Sequence, residues 1–337
     1  MNLSSRTLIA AVLSFALSGL GSSAYAGRGH EVLPPSQAQS QASAWHSSDY
    51  SRVRLIRAGV TEDGQDLVGL VFEMEEGWHT YWRSPGRLGL PPTFNWEGST
   101  NVRGVTVRWP LPEYISFEDY ETYGYEGRVI LPLEISRENP DEPAQLQLAI
   151  GYAVCEHVCI PVLGFLAMSL PDRERAPRVR PEFAWAVADA LSRVPTTDVE
   201  AAGIDISPAL LVRSLSAPRA LRISISSETP FEDPRVILEG PKGLRFGRPK
   251  LVLDSTGRHL EAIVSVSRHG DDEVPFGYGL KITVTGGAMA VLQALPMSMS
   301  GDADWNELPI EEADELHEPW LPGPDDMDRP DGEGPPR

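Results

Sequence analysis

From residue 51 onward the chain alternates short apolar runs with turns rich in Gly, Pro and Asp. In Val129-Ile130-Leu131-Pro132-Leu133-Glu134-Ile135 and Leu146-Gln147-Leu148-Ala149-Ile150, apolar side chains recur with a period near two and β-branched residues are frequent. That spacing puts one face of an extended segment against a core and the other toward water, which defines a half-buried strand. The same reading predicts strands over 53–60, 67–75, 78–82, 102–109, 129–135, 146–153 and 162–170. Some seven short strands separated by turns predict an antiparallel sandwich over 49–172.

The period changes only once. Over 181–194 the residues Phe183, Ala184, Val187, Ala188 and Leu191 recur at helical spacing, with Pro181 in the first turn and Pro195 beyond the end. Proline is tolerated where a helix begins and stops one that has run its course. This helix is expected within a linker over 173–200. Beyond it, predicted strands over 210–215, 220–226, 235–239, 250–253, 260–267, 280–285 and 291–299 form a second β-rich set over 201–300. The expected fold is all-β: two immunoglobulin-like β-sandwich domains joined by a short helix-containing linker. A length of 337 residues exceeds one ordinary hydrophobic core and fits two.

The ends read differently. Arg6 precedes an apolar run over 8–20, and Ala24-Tyr25-Ala26 offers small residues for cleavage, so residues 1–26 are read as a signal peptide removed after Ala26. Residues 27–48, rich in Gly, Ser and Gln without an apolar period, are expected to be a flexible spacer. No later stretch reaches the roughly 18 to 20 apolar residues that span a bilayer. The formal charge is -19, of which residues 301–337 contribute -11, so most of the imbalance belongs to an acidic, Pro-rich tail expected to be disordered. No basic patch reverses that charge, which argues against nucleic acid as a partner. No Gly-x-Ser-x-Gly elbow, phosphate-cradling Gly-Lys loop or His-Glu-x-x-His helix occurs.

The candidate chemistry lies in Cys155-Glu156-His157-Val158-Cys159, which holds the only two cysteines. Export to an oxidising compartment, most simply a bacterial periplasm, permits a disulfide. On one regular strand the two α-carbons would lie about 13 Å apart. A disulfide needs about 4.4 to 6.8 Å, so the chain must turn sharply between them, as a hairpin tip or a single helical turn. So local a bond is a weak staple, about 2 kcal/mol in the chain-entropy model against about 4.7 for a 100-residue loop. Exposed small-loop disulfides are the labile ones, which makes redox exchange the leading reading. An inert structural bond and metal binding stay open. In an extended segment Cys155, His157 and Cys159 would share a face and offer soft ligands to copper or zinc; otherwise no cofactor is expected. The spacing and the lack of βαβ units exclude a thioredoxin fold.

Several further motifs occur in a fixed order: Glu76-Gly77-Trp78-His79-Thr80-Tyr81-Trp82-Arg83-Ser84-Pro85-Gly86, Leu90-Pro91-Pro92, Trp109-Pro110, Tyr123-Gly124-Tyr125, Val129-Ile130-Leu131-Pro132, and Tyr152-Ala153-Val154-Cys155 with Cys159-Ile160-Pro161. Together they resemble the N-terminal periplasmic domain of the DsbD and ScsB disulfide reductases, over residues 50–172. Residues 200–300 resemble the further β-domain of ScsB-like proteins.

The resemblance implies a periplasmic protein whose cysteine pair takes electrons from a membrane-embedded thiol reductase and passes them to oxidised periplasmic or thioredoxin-like proteins, with Cys159 the attacking residue. It implies a cap over about 116–120, with Phe117 or Tyr120 as the shielding aromatic and Glu118 and Asp119 as its acidic members. It places His79 and Tyr81 beside the cysteines, and it links ScsB-type systems to copper tolerance. The family's membrane domain and thioredoxin-like domain are not read in this sequence, so a separate membrane protein is expected to supply any electrons. The cluster Trp78, Tyr81, Trp82 and Trp96 is read as core packing.

Overall fold

The computed structural model describes residues 41–86, 89–117, 120–172, 179–214, 217–241, 243–269, 279–287, 289–295, 297–298 and 310–311. The expected signal peptide and most of the spacer and tail lie outside these residues.

Strands dominate. The first half comprises β1 (His46–Ser47), β2 (Ser51–Val60), β3 (Asp66–Met74), β4 (His79–Gly86), β5 (Thr93–Asn95), β6 (Gly104–Val107), β7 (Glu113–Phe117), β8 (Tyr120–Glu126), β9 (Arg128–Ser136), β10 (Ala144–Cys155) and β11 (Cys159–Leu170). One sheet runs β1-β2-β3-β9-β6; the other runs β11-β10-β4-β8-β7, with β5 added to β10. The period-two runs account for this pairing of layers. Along β10, Ala144, Leu146, Leu148, Ile150 and Tyr152 are buried while the residues between them are half-buried. They meet Val53, Leu55, Leu70, Phe72, Leu131 and Leu133 of the opposing sheet in one core, with Trp82 and Tyr125 filling the space between layers. Tyr152 shows how polar atoms are accommodated there: its ring packs edge-on to Phe72 at 5.3 Å, and its hydroxyl lies 2.8 Å from that of Ser51. This is the antiparallel sandwich that the pattern predicts.

Three boundaries differ from the sequence reading. The spacer expected over 27–48 is already packed by residue 42: Ala42 is buried and bridges Ile56, and Trp45 lies under the guanidinium of Arg54 at 4.2 Å. The helix α1 (Pro181–Ser192) is more than a tether, since Val187 and Ala190 bury against Ile56, Ala58, Val71 and Ile130 on the outer face of the first sheet. Within the tail, Ile310–Glu311 pairs in parallel with Arg268 and His269.

The second half continues with β12 (Ile204–Ile206), β13 (Ala209–Ser214), β14 (Ala217–Ser227), β15 (Arg235–Glu239), β16 (Leu244–Phe246), β17 (Lys250–Leu253), β18 (His259–His269), β19 (Leu280–Gly286) and β20 (Met289–Leu295). A sheet centred on β14 and β18 faces a smaller one, β15-β19-β20, across a core that includes Ile223, Ile225, Val264, Ile282 and Val284. The two halves touch: Ile237 of β15 joins the core of the first half, and Arg83 of β4 forms a two-pronged ion pair with Glu239. Among the described residues no helix is long and apolar enough to cross a membrane.

Candidate functional site: the disulfide hairpin

The last residues of β10 break its alternation. Ala153, Val154 and Cys155 are all buried, because the sheet face that is half-exposed further back is covered here. The covering groups are Tyr81 and Leu90, which cluster with Ala153 and Cys155. Immediately beyond, the chain reverses through Glu156, His157 and Val158 and returns as β11, so that Cys155 and Cys159 are cross-strand partners. Their sulfurs are bonded, with α-carbons 4.2 Å apart. A hairpin tip is thus the sharp turn that the distance argument requires. It also sets the two sulfurs in unlike surroundings: Cys155 is 1% exposed, whereas Cys159 is exposed, as are His157 and Val158.

The turn does not have the extended form on which the three-ligand reading rests. The extended segment that would align Cys155, His157 and Cys159 on one face does not exist, because the backbone folds back at the histidine. Among the described residues no three His, Cys, Asp or Glu side chains converge to hold a metal ion.

Register across the second sheet places the neighbours. Cys155 pairs with Cys159 on one side and His79 on the other, and His79 pairs with Glu126, so these four residues form a row across β11, β10, β4 and β8. Two positions along β4 from His79, Tyr81 points its hydroxyl at both sulfurs, donating to Sγ of Cys155 at 3.1 Å and lying 3.2 Å from Sγ of Cys159. Burial pushes the phenol of Tyr81 up to about 12, because the phenolate would lose its hydration there. It stays a neutral donor at any physiological pH. His79 packs edge-on to the Tyr81 ring at 5.4 Å. Burial lowers its pKa below the usual imidazole value, with the Glu126 carboxylate pulling the other way. The ring is therefore held toward its neutral form.

The backbone around Tyr81 is tight. Gly89, at φ 113°, presses on the aromatic ring so closely that a β-carbon there would lie 2.4 Å from it. Gly124, opposite Tyr81 on β8, approaches the Thr80 carbonyl in the same way, at 2.3 Å for a β-carbon. Thr80 in turn donates its hydroxyl to the Ala153 carbonyl at 2.9 Å, fastening β4 to β10 beside the disulfide.

Sequence reasoning located Cys155, Cys159, His79 and Tyr81, and the structure brings all four together. It missed Leu90, which the Leu-Pro-Pro motif could have flagged, and Glu126. Of the expected cap, Phe117 and Tyr120 pair as the last rung of the β7–β8 hairpin, at the end of β8 opposite Glu126. Glu118 and Asp119 lie outside the described residues. Among the described residues, Tyr81, Ala153 and Leu90 pack on Cys155.

A β-sandwich with a disulfide at an open hairpin tip, hydrogen-bonded by a buried tyrosine, defines a thiol-disulfide class of domain. Residues 52–168 match the family model described as "Thiol:disulfide interchange protein DsbD, N-terminal", the family that the motifs resemble, so this part of the chain is similar to DsbD N-terminal domains. Residues 193–300 match a family described as a domain of unknown function, DUF8393. Among solved structures, the chain is similar to the N-terminal periplasmic domain of ScsB from Proteus mirabilis, with a TM-score of 0.60 and 24% identity over 78% of this chain and 100% of that one. That share exceeds the first half alone, so the likeness of fold extends into the second. A C-terminal domain of the AgI/II polypeptide BspA from Streptococcus agalactiae also aligns, at 7% identity and a TM-score of 0.15, covering 72% of this chain and 99% of that one, and carries no weight. No curated protein matches the chain.

Proposed function

We propose that this protein is a periplasmic thiol-disulfide exchange protein that carries electrons from a membrane-embedded thiol reductase to oxidised periplasmic proteins. The observation that supports this most is the setting of the disulfide: one sulfur at an exposed tip, the other buried under Leu90, and a neutral phenol within hydrogen-bond reach of both.

In the reduced protein the Cys159 thiolate attacks one sulfur of a substrate disulfide. A mixed disulfide forms, and the substrate's other sulfur leaves as a thiolate. Cys155, as thiolate, then attacks Sγ of Cys159; the Cys155–Cys159 bond re-forms and the second substrate sulfur departs. Two electrons and, after protonation, two protons have passed to the substrate. A donor dithiol restores the pair by the same exchange in reverse, so direction follows relative reduction potentials, with about 30 mV equal to 1.4 kcal/mol for the two-electron couple. Tyr81 donates to whichever sulfur bears charge, and charge-assisted hydrogen bonds are the strong ones.

Single-cysteine variants test this. Incubated with an aromatic disulfide such as 5,5′-dithiobis(2-nitrobenzoate), Cys155→Ser is expected to react quickly through exposed Cys159, and Cys159→Ser far more slowly through buried Cys155. A wild-type disulfide that no dithiol reduces in the folded protein rules the proposal out.

A further inference from the structure

The strand that carries Tyr81 loses its partner just beyond it. Between β4 and β8 the register passes from Tyr81 opposite Gly124 to Gly86 opposite Thr122, so the residues of β4 from Trp82 to Pro85 bulge out of the ladder. Bulges beside active sites re-aim a side chain, and an unpaired stretch needs support from elsewhere. The second half of the chain supplies it at two points. On the bulge, the Arg83 guanidinium lies 4.2 Å above the buried Trp82 ring and donates to both oxygens of Glu239, at 2.8 and 2.6 Å. Both partners are largely shielded, with side chains 21% and 11% exposed. Next to it, Arg248 donates to Glu121 on β8 at 2.9 Å and lies over the Tyr114 ring of β7 at 5.1 Å. Thr122, the neighbour of Glu121, donates to the Pro85 carbonyl at 2.9 Å, which ties the far end of the bulge to the same strand.

We infer that residues 193–300 serve as a brace that sets the reactivity of the disulfide, with Glu239 and Arg248 as positioning residues that hold β4 and β8 so that the Tyr81 hydroxyl reaches both sulfurs. The inference rests on the exchange function proposed above and gives the second half a part in it. Its physical basis is the steep distance and angle dependence of a hydrogen bond, which a small shift of the bulge is enough to weaken. A bidentate guanidinium–carboxylate contact fixes orientation as well as distance, which a single-point charge pair does not. Losing it lets Tyr81 retreat, and the thiolate that forms during exchange is then less stabilised.

The test uses the full reduced protein and iodoacetamide, recording alkylation rate against pH, with the urea unfolding midpoint measured alongside. Glu239→Gln is expected to move the alkylation midpoint upward by about half a unit or more relative to wild type. In a Tyr81→Phe background the same substitution is expected to leave the profile where Tyr81→Phe alone puts it, because there is no hydroxyl left to position. Arg248→Ala, an exposed position, repeats the measurement should Glu239→Gln fold poorly. An alkylation profile that neither substitution moves, or that moves equally with and without the tyrosine hydroxyl, overturns the brace while leaving the exchange function intact. Failure of the wild-type disulfide to exchange at all strikes the function itself, which the alkylation comparison does not depend on.

Discussion

The Tyr81 hydroxyl donates to Sγ of Cys155 at 3.1 Å, across a strand boundary and 74 residues along the chain. In the oxidised protein this bond is to a weakly accepting sulfur. Once exchange places charge on that atom, the same geometry becomes a bond to an anion, worth about 1.5–3 kcal/mol. The tyrosine thus favours the state that the reaction passes through.

Tyr81→Phe removes the donor and keeps the ring. A pKa unit corresponds to about 1.36 kcal/mol, so the midpoint for alkylation of the reduced pair is expected to rise by about one to two units. The oxidised protein should lose less than about 1 kcal/mol of stability in urea, since only a weak bond goes. Because the phenol titrates near 12, the wild-type alkylation profile should show no second inflection from Tyr81 below pH 10. Such an inflection would mean that the hydroxyl is not buried as the structure has it.

His79 gives a pH dependence of stability with a definite sign. Its folded pKa is lowered, chiefly by burial and in spite of Glu126, so the unfolded chain binds a proton near pH 6.5 that the native state refuses. The stability this group allows is complete above 6.5 and is lost as pH falls from there through the folded value. His46, also lowered by burial, acts in the same direction. Wild type is therefore expected to unfold at lower urea at pH 5.5 than at pH 7.5, and His79→Gln to reduce that difference without abolishing it. Equal pH sensitivity in the variant would remove His79 from the account.

Much of this site could be read from the sequence because its determinants are local. A disulfide between residues four positions apart demands a reversal, and strict alternation in 146–150 fixes which face of β10 is buried. What escaped notice depends on distant partners. In the β7–β8 hairpin, Tyr114 and Tyr123 are cross-strand partners on one face, and that face is shared between the first core, which takes Tyr123 and Tyr125, and Arg248 of the second half, which lies over Tyr114. Trp45 and Ala42 sit in a polar stretch that looks like a spacer until Ile56 and Arg54 are beside them. Nothing in the run Gly64-Gln65-Asp66-Leu67 announces that Asp66 is buried; its partner Arg137 is 71 residues away.

That ion pair separates folding from chemistry. Asp66 takes two bonds from Arg137, at 2.6 and 2.7 Å, with side chains 2% and 1% exposed, and Arg137 also donates to the Glu142 carbonyl. Arg57, whose pKa burial lowers, feels the same carboxylate. Asp66→Asn leaves buried cations without a counter-charge, and breaking such a pair costs about 3–5 kcal/mol. Asp66 begins β3 while the cysteines lie beyond its other end, about 26 Å along the strand. The expected result is a large drop in the urea midpoint with an unchanged alkylation profile for the folded fraction.

The helix offers a second such separation, on the opposite face of the first sheet from the disulfide. Gly69 lies under α1, where a β-carbon would come within 2.6 Å of Val187 Cγ2, 2.9 Å of Ile130 Cγ2 and 3.0 Å of Ile56 Cγ1. Gly69→Ala therefore forces the helix outward or the neighbours off their rotamers, and overpacking of this kind costs about 1–3 kcal/mol. Because Val187 supplies the nearest atom, Val187→Ala should recover part of that loss in the double variant, although alone it is destabilising through the cavity it leaves. Urea midpoints for the two single variants and the pair decide the matter. Strict additivity would place the strain elsewhere than under the helix, whereas a compensating pair confirms that α1 is docked on the sheet through this one glycine.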